Sequence, residues 1–272
     1  MGEFAAVPGE GTYRLDVAGD TFNTAVYLAR QGLTVEYLTR LGDDDVSSII
    51  LARLAEEGIG RDAIRVQPGR QAGIYMIRND PDGERHFTYW RGQSAARGLF
   101  DEPVTLAGIS HFYFTGITLA VCRDGIDNLL QLLASLKTDG CAILFDPNYR
   151  PALWDDAGQA RTLMERVIPV CDTVFPTLED ERMLWGIEDA DASRDFYMAR
   201  GVTEIVVKAP DLTAHAWTPT ACVQRRAGRV APLDTTGAGD AFNAGYLAVR
   251  LAGGDPESAL EAAQALSSRV VL

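Results

Sequence analysis

Apolar residues along the chain follow two periods, one of about 3.6 residues and one of about 2, and the switches between them mark out its elements. Phe22, Ala25, Val26 and Ala29 stand at i, i+3, i+4 and i+7, which predicts one buried helix face stopped by Gly32. Before it, residues 12–17 read as a strand. Residues 1–18 are otherwise short on structure, with Gly2, Pro8, Gly9 and Gly11 close together. After it come a strand near 35–39, the acidic turn Gly42-Asp43-Asp44-Asp45 and a helix over 46–57. That acidic run reads as a solvated turn and helix cap rather than a metal site.

Residues 70–92 break the rhythm. A run over 73–77, the turn Asn79-Asp80-Pro81-Asp82-Gly83 and a second run over 85–91 predict a β-hairpin. Phe87, Tyr89 and Arg91 then share one face of the second strand. Two aromatics and a guanidinium so placed fit plain cross-strand packing. They also fit a lid that closes over a carboxylated ligand, with Arg91 pairing the carboxylate.

From residue 109 strands and helices alternate. Strands near 109–114, 142–145, 173–175 and 204–208 are separated by helices near 124–136, 159–167, 178–185 and 193–200. This predicts an α/β fold with a doubly wound, mostly parallel sheet flanked by helices. Ligands belong at the C-terminal ends of such strands, where Thr115-Gly116-Ile117, Asp146-Pro147-Asn148-Tyr149-Arg150 and Lys208 fall.

The composition narrows the classes of function. A net charge of −13 over 272 residues argues against a nucleic-acid surface, though not against a locally basic pocket. The four cysteines and three histidines are scattered, so neither a disulfide framework nor a histidine metal site is expected. With no signal peptide and no apolar run near 18 residues, the chain is expected to be cytoplasmic and to make no membrane contact.

The densest chemistry lies in Asp234-Thr235-Thr236-Gly237-Ala238-Gly239-Asp240-Ala241-Phe242-Asn243-Ala244-Gly245. A short apolar and proline run, Val230 to Leu233, precedes it. A helix marked by Ala241, Tyr246, Val249 and Leu251 follows, and Gly253-Gly254 ends that helix. The peptide N–H groups at a helix start lack intrahelical acceptors and sit in the positive end of the dipole. Gly237 and Gly239 keep no side chain in the way, so the turn describes an anion hole. A carboxylate at Asp240 repels an anion. It has a use there if it takes a proton from an attacking hydroxyl while the amides hold a transferring phosphoryl group. An ordinary glycine turn with a helix-start acid is the other reading.

The full string DTTGAGDAFNAGYLA resembles the C-terminal signature of the ribokinase-like (PfkB-type) carbohydrate kinases. The resemblance implies ATP-dependent phosphorylation of a sugar hydroxyl, with Asp240 as catalytic base and the amides of Gly237, Ala238 and Gly239 as the anion hole. Thr236, Gly237 and Gly239 also carry over as nucleotide contacts. Gly19-Asp20-Thr21-Phe22-Asn23-Thr24-Ala25 is similar to the family's sugar-binding motif in the form typical of 2-keto-3-deoxygluconate kinases. It implies sugar contacts from Gly19, Asp20 and Asn23; by residue type alone, Asp20 or Thr21 would cap the helix. Tyr89-Trp90-Arg91 and Tyr75 match the segment thought to hold the sugar acid. Asp146-Pro147-Asn148-Tyr149-Arg150-Pro151 matches the loop from which Arg150 contacts the sugar acid or phosphate and Asn148 lies near the transferring phosphate.

The resemblance further implies Mg²⁺, a monovalent cation such as K⁺, a lid built from about 12–17 and 70–92 on a single domain over 1–272, and a homo-oligomer paired through that lid. Lys208 falls where a nucleotide contact is expected, but Ala209-Pro210-Asp211 replaces the usual glycine-rich turn and proline removes a donor. Glu181 is the candidate for organising Mg²⁺ through water, without the asparagine of the family's Asn-x-x-Glu. The ends read as shortened. The strand ending in Gly-Glu is reduced to Met1-Gly2-Glu3, and the chain stops at Leu272 inside a helix begun near Pro256.

Overall fold

A computed structural model describes residues 1–7, 11–79, 85–231 and 234–272. The hairpin turn expected around Asp80 to Gly83, the glycine and proline at 8–9 and the end of the apolar run at 232–233 lie outside these residues. The chain divides into two compact units, Met1–Asp101 and Glu102–Leu272.

In the first unit, strands β1 (Gly2–Ala6), β2 (Tyr13–Val17), β5 (Ile74–Asn79) and β6 (Arg85–Trp90) form a sheet in the order β2-β1-β5-β6. β1 is antiparallel to β2 and parallel to β5, and β5 and β6 form the predicted hairpin. The first residues are thus more structured than expected. Met1-Gly2-Glu3, read as the remnant of a main-sheet strand, runs into an inner strand of this smaller sheet. Phe4 pairs with Leu15 on one side and Met76 on the other. Glycine is needed at position 2, since a Cβ there would come within 2.7 Å of Val46 Cγ1.

Helix α1 (Asp20–Arg30) buries the predicted stripe of Phe22, Ala25 and Val26 against Val17, Leu41, Ile50, Leu54 and Ile59. Helix α2 (Asp45–Glu56) is capped by Asp44, whose carboxylate accepts from the N–H groups of Val46 and Ser47. The strand expected at 35–39 starts later. β3 (Thr39–Leu41) pairs with β4 (Ile64–Val66), and only a single bridge, Glu36 to Gly60, precedes it. The Glu36 carboxylate accepts the Ala63 N–H at 2.8 Å, so the side chain rather than a ladder satisfies that backbone.

The second unit carries a six-stranded sheet in the order β12-β11-β10-β9-β8-β7. β7 (His111–Thr115), β8 (Ala142–Asp146), β9 (Thr173–Val174) and β10 (Glu204–Lys208) are parallel. β11 (Thr213–Thr218) and β12 (Ala221–Arg226) add an antiparallel hairpin that the hydrophobic pattern did not announce. Ile143, Leu144 and Phe145 in β8 and Ile205, Val206 and Val207 in β10 are all buried, as a strand covered on both faces requires.

Helices α3 (Gly116–Val121) and α4 (Ile126–Thr138) connect β7 to β8. α5 (Ala157–Val167) connects β8 to β9, and α6 (Leu178–Trp185) with α7 (Ala190–Met198) leads to β10. α8 (Ala238–Leu251) then packs on α9 (Pro256–Val270). Their approach is close at Gly245, where a Cβ would lie 2.9 Å from the Ala262 carbonyl oxygen. The result is a mixed α/β arrangement with a central parallel sheet flanked by helices, as predicted. No helix among the described residues is long and apolar enough to cross a membrane.

Candidate active site

In the second unit, β7, β8 and β10 end on Thr115, Asp146 and Lys208. Thr115 caps α3 by accepting the Thr118 N–H at 3.4 Å. The turn then presses Gly116 onto the next loop. A Cβ at Gly116 would stand 1.9 Å from the Pro147 carbonyl oxygen.

Asp146 is buried and collects donors. It accepts the Asn148 N–H at 2.9 Å and the Lys208 ammonium at 3.0 Å. The first of these bonds holds Asn148 at φ 34°, a left-handed conformation that asparagine tolerates better than most residues. Arg150 is more exposed, its guanidinium 3.4 Å from Asp180 and 3.0 Å from the Tyr149 carbonyl. Burial pushes the Asp180 carboxyl up to about 6, although the Arg150 charge pulls the other way.

Glu181 does not serve as the sequence suggested. It is 0 % exposed, and its oxygens accept from Tyr197 at 2.8 Å and Ser193 at 3.3 Å, both on α7. Burial pushes its carboxyl up to about 8. A group sealed against a neighbouring helix cannot hold an ion through water. Its neighbour Asp180, not singled out from the sequence, is the carboxylate that meets Arg150.

Gly237 opens α8 at φ 74°, a conformation that favours glycine. The turn is braced by the Thr236 N–H on Asp234 Oδ1 at 2.7 Å. The Ala238 amide, expected among the anion-hole donors, already donates to the Thr235 carbonyl at 3.2 Å. The N–H groups of Gly237 and Gly239 have no acceptor among the described residues. A Cβ built at Gly239 would meet no atom within 4 Å, so space remains for an anion. Asp240 is partly exposed in the first turn of the same helix. Lys208, expected at the nucleotide, directs one donor to Asp146 and another to Asn243 Oδ1 at 3.1 Å.

In the first unit, Gly19 precedes α1 at φ 153°, and its carbonyl accepts the Asn23 N–H at 2.7 Å. Neither Asp20 nor Thr21 caps the helix. Asp20 is its first residue, and the Thr21 hydroxyl is bonded to the Tyr37 hydroxyl at 2.9 Å. The hairpin register sets Tyr75 opposite Tyr89 and Ile77 opposite Phe87. Rings of Tyr75, Phe87 and Tyr89 accordingly cluster, with centroids 5.6 to 6.3 Å apart. The Arg91 guanidinium lies 4.4 Å from the centre of the Tyr89 ring. Burial lowers the Arg91 pKa, while the charge of Asp20 acts to raise it. Tyr75 is buried and donates its hydroxyl to the carboxylate of Glu3, a residue the sequence did not single out.

The predicted residues therefore fall into two groups, each held by its own unit. Gly19, Asp20, Asn23, Tyr75, Tyr89 and Arg91 lie in the first; Asn148, Arg150, Lys208, Thr236, Gly237, Ala238, Gly239 and Asp240 lie in the second. One group offers a cation beside aromatic rings. The other offers open amides with a carboxylate in the first turn of the helix.

The chain is 36% identical over 270 residues to the 2-dehydro-3-deoxygluconokinase of Dickeya dadantii, covering 93% of this chain and 86% of that one. It is 35% identical over 273 residues to the 2-dehydro-3-deoxygluconokinase of Escherichia coli K12, covering 93% and 87%. Among solved structures it is similar to a PfkB protein from a Polaromonas species, at a TM-score of 0.85 and 26% identity over 100% of this chain and 92% of that one. The profile of the pfkB family carbohydrate kinases matches residues 5–272, both groups of site residues included, and the chain belongs to that family.

Proposed function

We propose that the chain phosphorylates 2-keto-3-deoxygluconate (2-dehydro-3-deoxygluconate) on its 6-hydroxyl, with ATP as donor. The observation that carries the choice of an acid is Arg91, poised over Tyr89 beside buried Tyr75. A guanidinium partly withdrawn from water gains more from a carboxylate than from a neutral hydroxyl. Gly19, Asp20 and Asn23 hold the sugar hydroxyls, and Arg150 adds a second cation for the acid or the phosphate. In this reading residues 1–272 work as one kinase domain.

Asp240 takes the proton of the attacking hydroxyl as its oxygen bonds to the γ-phosphorus and the bond to the leaving ADP breaks. The Gly237 and Gly239 amides, open to an anion, face the charge that develops on the transferring oxygens. The donor set fits a nucleotide triphosphate, because an uncovered helix start is an anion site. Mg²⁺, when bound, neutralises phosphate charge. Mg²⁺ keeps most of its water and asks for one or two carboxylates, and the Asp180 carboxylate beside Arg150 fits that need. Asn148 lies near the phosphates.

The test is ADP release with Mg-ATP and 2-keto-3-deoxygluconate, set against fructose, ribose and 2-keto-gluconate. Turnover selective for the keto-deoxy acid supports the reading. Equal or better turnover of fructose or ribose overturns it in favour of a neutral-sugar kinase, and no turnover by folded protein favours a binding relative without catalysis. A monovalent cation belongs to the same reading, checked by replacing K⁺ with tetramethylammonium. So does a homo-oligomer paired through the lid, whose exposed Tyr13, on edge strand β2, and Trp90, on edge strand β6, are available to a second copy; light scattering decides it.

A further inference from the structure

Asn243 stands one turn after Asp240 on α8 and is 0 % exposed. Its carboxamide is engaged at both ends. Oδ1 accepts from the Lys208 ammonium at 3.1 Å, while Nδ2 donates to the Tyr113 hydroxyl at 3.0 Å and to Asp146 Oδ2 at 2.5 Å. Asp146 closes the triangle by accepting from Lys208 at 3.0 Å, and its other oxygen holds the Asn148 N–H at 2.9 Å. A carboxylate, a carboxamide and a partly buried ammonium thus meet, joining β7 and the ends of β8 and β10 to the first turns of α8.

Such a cluster is poor value as a stabiliser, because desolvating an ion pair offsets its attraction and apolar side chains would fill the space as well. Its distinguishing property is direction. Each of these bonds has a narrow geometry, so the set admits one height and one rotation of α8 over the sheet. Residues i and i+3 are neighbours on a helix about 4.5 Å apart along the axis, so any displacement of Asn243 passes to Asp240. Phosphoryl transfer depends on positioning, and a shift of about 1 Å costs on the order of a hundredfold in rate.

We propose that Asn243, seated by Lys208 and Asp146, is a positioning residue that sets the place of Asp240 and of the open Gly237 and Gly239 amides. The proposal rests on the reading of Asp240 as the base. It also gives Lys208 a part in orienting the catalytic helix, in addition to any contact it makes with phosphate.

An exchange of partners tests it. Asp146→Asn leaves the ammonium without a carboxylate, and Asn243→Asp sets two carboxylates on one ammonium. The double variant restores one of each with their places exchanged. Two readouts are taken: amide hydrogen exchange over residues 238–246 without ligand, and kcat and KM with 2-keto-3-deoxygluconate and Mg-ATP. Each single variant is expected to speed exchange in the first turns of α8 about tenfold and to lower kcat about 30- to 100-fold, with both KM values within about threefold. The double variant should recover at least about tenfold of the lost kcat and slow the exchange again.

An Asn243→Asp protein with kcat and exchange like the wild type overturns the proposal, as does a double variant no better than the worse single. Should the charge variants fail to fold, Tyr113→Phe removes one acceptor from Asn243 and leaves the charges in place. A fall in kcat of about three- to tenfold at steady KM supports the proposal there, and no change overturns it. If the wild type does not turn over the sugar acid, the functional reading fails alone. The exchange rates then still decide whether the cluster sets the first turns of α8.

Discussion

The sharpest energetic consequence of the structure concerns Glu181, which is sealed between α6 and α7 with Tyr197 and Ser193 as its partners. Burial raises its carboxyl from an ordinary 4.5 to about 8, despite the two hydrogen bonds that favour the charged form. The folded protein therefore holds a proton that the unfolded chain has lost anywhere between these two values. Stability falls as pH rises through that window, and the loss is complete above about 8. At 1.36 kcal/mol per pH unit the whole effect has an upper bound of about 5 kcal/mol. Asp180, raised to about 6, titrates in the lower part of the same window, so measurements at pH 6.5 and above separate the two. Over pH 6.5 to 8.5 the Glu181 contribution alone amounts to about 2 kcal/mol.

Glu181→Gln keeps the shape and removes the charge. Urea unfolding of both proteins at several pH values gives the difference in stability, from which all other titrating groups cancel. That difference should shift in favour of the variant by about 2 kcal/mol from pH 6.5 to 8.5, and kcat should stay within about threefold of the wild type. Parallel stability curves for the two proteins would show that Glu181 is not held neutral by its surroundings. A large drop in kcat with a new Mg²⁺ dependence would restore the metal role that the burial argues against.

Two further predictions bear on the site. Asp240→Asn should retain sugar-acid binding by calorimetry and lower kcat by about 10² to 10⁴, and near-normal turnover would remove Asp240 as the base. Arg91→Ala should raise KM for the sugar acid about 10- to 100-fold, the loss of a charged hydrogen bond, while leaving any residual turnover of fructose unaltered; an unchanged KM for the acid would take Arg91 out of the pocket.

What the sequence disclosed depended on how local each signal was. α1, α4, α6 and β10 were legible because their apolar periods lie within one segment. The β11–β12 hairpin was not, since its buried Ala214 and Ala216 are weak strand formers and its pairing supplies most of the reason for the strand. β1 was missed for a similar cause: on one side it is held by β5, a strand distant in sequence whose Ile74 pairs with Gly2.

The site shows the same division. The Gly237 to Asp240 turn could be read because a helix start and its carboxylate are neighbours in the chain. Asp146 meets Lys208 across 62 residues and Asn243 across 97, and no spacing in the sequence marks those contacts. Glu181 was suggested by resemblance to a motif whose asparagine this chain lacks, and the carboxylate beside Arg150 is its neighbour Asp180. One residue on a helix turns the side chain by about 100°, enough to move a carboxylate from the Arg150 side to the buried face of α6.

The two proposed groups of site residues differ in how firmly they are held, which bears on how specificity can change. In the second unit α8 is fixed along its length. Asn243 is held near its start, and Glu204 binds Arg250 through two bonds of 2.8 and 3.0 Å and the Tyr246 hydroxyl at 2.6 Å near its end. Between them, the close approach at Gly245 leaves α9 no room to shift inward. On the reading proposed above, a substitution that shifts α8 here moves Asp240 and the Gly237 and Gly239 amides together. In the first unit the residues proposed for the sugar acid stand on a four-stranded sheet, where Phe87, Tyr89 and Trp90 are 42, 45 and 52% exposed. Exposed side chains on a hairpin can be exchanged at small cost in stability. The physical expectation is that the phosphoryl-transfer half stays constant while the choice of sugar follows the lid. A lid variant should then change relative KM values among sugars far more than it changes kcat for any one of them.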